Sequence, residues 1–168
     1  MKDGMRTGRR VIALVAAAGV LMVAAGPAEA STPRWMDLFR AINHVRASHG
    51  LRPIAISKGL RAAAKRHSRD MLWRGYFAHT SPTGLTLTHR VMSSGFITYG
   101  PWWAGETLAW GSGAYGKPSA IVQAWLKSPE HRAIMLSSRY HLVGIGRVYG
   151  TFLGHPGASV WTVDWGHR

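Results

Sequence analysis

The chain has 168 residues, 21 Lys+Arg against 7 Asp+Glu for a formal charge of +14, and no cysteine. With 46% apolar residues it is neither a disordered chain nor a polytopic membrane protein. The absence of cysteine excludes disulfide scaffolds, thiol nucleophiles, Cys-type zinc sites and a lipoprotein-type cysteine anchor. The length predicts one domain.

Residues 1–30 read as a signal peptide. Lys2, Arg6, Arg9 and Arg10 form a basic start, Val11 to Ala25 is an uncharged run of 15 residues, and Ala28-Glu29-Ala30 fits a small-x-small cleavage site. The run is shorter than the roughly 20 residues that span a bilayer, so no transmembrane anchor is expected after cleavage. The flanks of Arg9-Arg10 do not match a twin-arginine signal. Cleavage leaves residues 31–168 at a formal +12, as a secreted or cell-wall-associated domain. That charge outside the cell points to anionic partners: a cell-envelope polymer, lipid headgroups or nucleic acid. Nucleic acid fits least, because the basic residues are scattered and surround no recognition motif. Their mild concentration at Arg61, Lys65, Arg66, Arg69 and Arg74 reads as a solvated helix face.

Residues 35–49 predict a helix, with Leu38, Ala41, Ile42 and Val45 at three-four spacing and Gly50 as the stop. Leu51 to Ile54 is an extended link. Ser57 caps a second helix whose stripe is Leu60, Ala64, His67 and Met71, ended by Gly75. Residues 76–84 form a loop, and 85–93 a short helix stopped by Gly95. Residues 96–118 read as irregular, with one short strand at 107–110. Ser119 caps a helix through Leu126, and Ser128-Pro129-Glu130 restarts a helical turn. Residues 142–148 and 158–164 are strand-like, joined through 150–157. Helices first and strands last predict an α+β fold, an antiparallel sheet covered by helices.

Carboxylates are scarce. Asp37 reads as a surface acid in a first helical turn, Asp70 has ion-pair spacing to Arg66 and Arg74, and Asp164 lies in a terminal strand. Glu106 differs: it is one acid in a Gly/Trp-rich apolar stretch, and once buried it needs a partner from elsewhere in the chain. Among the histidines, His67 lies on an apolar stripe and reads as a core residue. His89 precedes Arg90 on a short helix, as a capping or packing pair. His79 is presented by a loop and His131 follows a helix start. No pair has the His-x-x-x-His spacing of a helical zinc site. Ser81 and Ser128 lie near His79 and His131, but no Gly-x-Ser-x-Gly elbow accompanies them.

Several motifs occur in order: Ala41-Ile42-Asn43-His44-Val45-Arg46, His67-Ser68-Arg69-Asp70-Met71, Phe77-Ala78-His79-Thr80-Ser81-Pro82, Gly105-Glu106-Thr107-Leu108-Ala109, Ser128-Pro129-Glu130-His131-Arg132, and Val143-Gly144-Ile145-Gly146 before Trp161. In that order the chain, from about Trp35 to Gly166, resembles the bacterial branch of the CAP superfamily, the SCP-domain proteins. The resemblance implies a single-domain α-β-α sandwich with a cleft lined by two His and two Glu, where some members hold a divalent metal such as zinc. By motif, His79 and His131 match the two His and Glu106 the first Glu. The second Glu falls near Lys127 or Ser128, neither acidic, and Thr107 replaces the Asn that usually follows the first. The tetrad is therefore incomplete.

Two functional expectations follow from different chemistries. One is a binding module that holds an anionic or amphipathic envelope ligand in the His/Glu cleft, with apolar contacts from Trp102, Trp103 and Trp110. The other is a metal-dependent hydrolase of cell wall or protein. In it His79, His131 and Glu106 would be metal ligands, or Glu106 a base, with no catalytic residue assigned beyond these.

Overall fold

The computed structural model describes residues 34–96 and 101–168; residues 1–30, with the expected signal peptide, lie outside the described residues. Helix α1 (Arg34–Ser48) leads through β1 (Ala55–Ile56) to α2 (Lys58–Arg74) and α3 (Leu87–Met92). Strand β2 (Trp103–Ser112), a 3-10 turn (Gly113–Gly116), α4 (Pro118–Lys127), α5 (Pro129–Met135), β3 (Leu142–Phe152) and β4 (His155–His167) complete the chain. The sheet order is β1-β3-β4-β2. All pairings are antiparallel except the two-residue β1, which runs parallel to β3.

Strand alternation sorts the two faces. Val143, Ile145, Trp161, Val163 and Trp165 pack with Leu38 and Ile42 of α1, Ile121, Val122 and Trp125 of α4, and Met135 of α5. The opposite face carries Val160 and Ala158 against Met71 of α2. There Gly144 and Gly146 let α2 approach so closely that a Cβ on either would overlap backbone atoms of Leu60 and Arg61, or of Ala64 and Lys65. The result is the α-β-α sandwich. Each buried indole N–H on the first face finds an acceptor: Trp125 the Leu108 carbonyl, Trp161 the Gly116 carbonyl, and Trp165 the Thr107 hydroxyl. Thr107 thus has a packing role.

Helix α2 starts and stops as its caps dictate. The Ser57 hydroxyl accepts from the Leu60 amide, and Gly75 closes the helix at φ 66°, where a side chain would be strained. Arg46 is buried and donates to the carbonyls of Arg52, Met135, Ser137 and Tyr140, tying α1 to the segment that enters β3.

Three local expectations need correction. The strand expected at 107–110 is the ten-residue β2, because its long antiparallel register with β4 supplies order that its Gly-rich sequence does not advertise. The link expected across 150–157 is a tight hairpin whose turn, Leu153-Gly154, takes positive φ at both residues. Helix α4 begins at Pro118 with Lys117 before it, and Ser119 is not its cap.

Candidate functional site

Loop 76–84 is pinned from below. Nε2 of buried His67 on α2 lies 3.0 Å from the Ala78 carbonyl, so this ring nitrogen carries the proton and donates. The Tyr76 hydroxyl donates to Asp70 at 2.6 Å, and Arg74 donates to the other Asp70 oxygen at 2.8 Å. Burial favours the neutral form of Asp70, but these two hydrogen bonds outweigh it and hold its pKa below the usual range. Burial and the Asp70 charge push the Tyr76 hydroxyl far up. His67 is the core residue its stripe predicts, neutral because burial depresses its pKa.

The anchored loop brings His79 over β2, where its Nδ1 lies 2.7 Å from Oε1 of Glu106. The other Glu106 oxygen accepts from Nη2 of Arg90 at 2.6 Å. Glu106 and Arg90 are both buried, whereas the His79 side chain is 60% exposed. Arg90 is the partner that Glu106 requires, and α3 delivers it: the Thr86 cap sets the helix, and Nη1 of Arg90 also holds the Leu85 carbonyl. Burial raises the Glu106 pKa, but the His79 hydrogen bond and the Arg90 charge reverse that and leave it a carboxylate. The same hydrogen bond raises the His79 pKa against partial burial.

A second carboxyl lies beside Glu106 that sequence reasoning treated as an ordinary strand residue. Asp164 is its direct cross-strand partner in the β2–β4 register, and it is completely buried. Neither of its oxygens meets an N–H or a hydroxyl. Burial, and then the neighbouring Glu106 carboxylate, hold its pKa well above normal. A protonated Asp164 supplies the donor for the Glu106 contact itself. No spacing in the sequence signals this pair. Only the strand register makes it.

Among the described residues His131 makes no hydrogen bond to this cluster. Its Nδ1 bonds the Ser128 hydroxyl at 2.8 Å, and its ring stacks on Trp125 at 6.4 Å between centroids. Ser128 stands near the place where the resemblance puts a second Glu, and it orients the ring without supplying charge. Burial and the His79 charge lower the His131 pKa. His79 and Glu106 are therefore in direct contact, and His131 is turned to Ser128. Among the described residues no group of three or more His, Asp or Glu is arranged to hold a metal ion. Both Glu106 oxygens are engaged, one by a guanidinium. The Nε2 atoms of His79 and His131 are the remaining donors, two where zinc sites use three or four protein ligands. The residues do not make a complete metal site.

His131 and Trp125 form one wall of an open groove of about 380 Å³, whose other walls include Phe77, Leu108, Trp110 and Tyr115. Trp110 is the one of the three expected contact tryptophans that lines it. Trp103 lies at the other end of β2 beneath the Arg139 guanidinium.

The family model described as CAP, cysteine-rich secretory protein family, matches residues 39–165. Uncharacterized protein YkwD of Bacillus subtilis is 33% identical over 120 residues, covering 71% of this chain and 42% of YkwD. The B. subtilis uncharacterized membrane protein YlbC is 35% identical over 111 residues, 65% of this chain and 30% of its own. The chain thus spans less than half the length of these relatives. Among solved structures, an extracellular protein containing a SCP domain from Bacillus anthracis superposes with TM-score 0.66 at 28% identity, over 79% of this chain and 40% of that one. An outer surface protein of Borrelia burgdorferi gives TM-score 0.66 at 22% identity, over 79% of this chain and 91% of that one. The ordered motifs, the sandwich and the family match agree: this cysteine-free chain belongs to the CAP (SCP-domain) family.

Proposed function

We propose that this chain is an exported CAP-domain binding module that holds an amphipathic or anionic ligand of the cell envelope, a lipid or a wall-polymer segment, at the aromatic groove lined by Trp125 and His131. The observation that carries the reading is the groove itself, an aromatic and aliphatic trough whose lining includes the polar pair Ser128 and His131. Its volume is within the range of small-molecule sites. Export is supported by the signal-like residues 1–30 and by the similar B. anthracis protein, which is described as extracellular. Among the described residues no helix is long and apolar enough to cross a membrane. The hydrolase reading has less support, because Glu106 is ion-paired to Arg90 with a depressed pKa. That makes it a weak general base.

The test is retention on purified cell walls and on vesicles of phosphatidylglycerol or phosphatidylcholine, across a salt series. Retention at low salt is expected with a salt-resistant component, since apolar contacts are not screened. Phe77→Ala and Tyr115→Ala, both at exposed positions, are expected to reduce that component about tenfold together. Absence of binding to walls and vesicles at low salt would overturn the proposal.

A further inference from the structure

A depression of about 640 Å³ lies between the start of α1, the turn entering α4 and the middle of the β3–β4 pair. Arg34, Lys117 and Arg147 line it, with Tyr149 and Ser159, and no acidic residue is among its lining residues. Arg147 is the built element. Its Nε and Nη2 both donate to the Ser159 hydroxyl across the sheet, at 3.2 and 2.9 Å. Its guanidinium carbon lies 5.4 Å from the ring centroids of both Tyr149 and Trp161. The fork is therefore held in place while Nη1 makes no hydrogen bond among the described residues. Burial, and then the charge of Arg34, lower the Arg147 pKa, so a bound anion would relieve both. Lys117, exposed at the start of α4, adds a mobile ammonium beside a helix end whose first residue has no side-chain cap.

We propose that this depression is an anion site that takes a phosphate group, as a phosphomonoester or phosphodiester. A fixed guanidinium, a second arginine and a flexible lysine around one concavity are the donors a tetrahedral oxyanion uses. Gly113, with open space where a side chain would stand, leaves room for whatever the phosphate is attached to. The site shares no lining residue with the aromatic groove and does not depend on it.

Calorimetry and 31P NMR with inorganic phosphate on the secreted protein test the site, with poly(glycerol phosphate) and phosphatidylglycerol vesicles as further arms. Arg147→Gln and Lys117→Gln are each expected to weaken phosphate binding about tenfold, the worth of one charge-assisted hydrogen bond. Lys117 is exposed, so its variant keeps the result readable if loss of the Arg147–Ser159 contacts disturbs folding. Arg69→Gln on α2 is expected to leave phosphate binding unchanged. Polymer binding that free phosphate displaces and Lys117→Gln weakens assigns the source as a wall phosphodiester; the same behaviour on vesicles alone assigns a headgroup. No binding of phosphate at millimolar concentration, or equal weakening by Arg69→Gln, would overturn the proposal.

Discussion

Glu106 accepts from Arg90 and His79 on its two oxygens and faces a buried carboxyl on the neighbouring strand. Removing it leaves the Arg90 guanidinium buried without its anion. Glu106→Ala is therefore expected to destabilise the domain by about 3–5 kcal/mol in urea unfolding. In Glu106→Gln, NMR titration is expected to show the His79 pKa falling back toward the ordinary imidazole value of 6.5. His79 gains affinity for its proton on folding, so its contribution to stability is full below that value and is lost as pH rises through the folded one. For Glu106, His67 and His131, whose pKa values are depressed, stability is lost as pH falls. Asp164 has the opposite sign to Glu106: it is protonated in the fold and ionised when unfolded above the usual carboxylate range, so its burial weakens stability as pH rises. Asp164→Asn is expected to remove that decline and to be at least as stable as the parent at pH 7. A variant that loses stability there would show that Asp164 is buried as a carboxylate. His79 and Glu106 were legible because a loop histidine and a lone acid among apolar residues stand out. Arg90 and Asp164 were not, since their partner is 16 residues away through a helix packing, or across a strand register.

At the scale of elements, the close seat of α2 on β3 places His67 beneath loop 76–84 and so sets the position of His79. Gly144 and Gly146 permit that approach. Gly144→Ala is expected to cost about 3 kcal/mol or more, because the overlap is with backbone that cannot rotate away. Gly50→Ala, at φ 70° with open space around it, is expected to cost about 1 kcal/mol. Thermal melts of the two variants check the difference, and similar losses would mean that α2 shifts to accommodate the methyl group. The helices were readable from apolar spacing and caps, since α1 and α2 bury one stripe each. Strand β2 was not. Its Gly-Glu-Thr-Leu-Ala core has weak strand propensity, and ten register pairs with β4 stabilise it.

For the whole molecule, a formal charge of +14 with few acids favours anionic surroundings. N-terminal sequencing of secreted protein is expected to begin at Ser31; an uncleaved product extracted only with detergent would exclude a soluble exported domain. Composition, charge, helix stripes and ordered motifs determined the family and the α+β class and singled out His79 and Glu106, because each is a property of local sequence. The pairing of Glu106 with Asp164, the rescue of its charge by Arg90 and the gathering of Arg34, Lys117 and Arg147 were decided only by tertiary structure. Each joins residues distant in the chain through strand register or helix packing, and no local pattern records which distant side chains the closed sandwich brings within a few ångströms of each other.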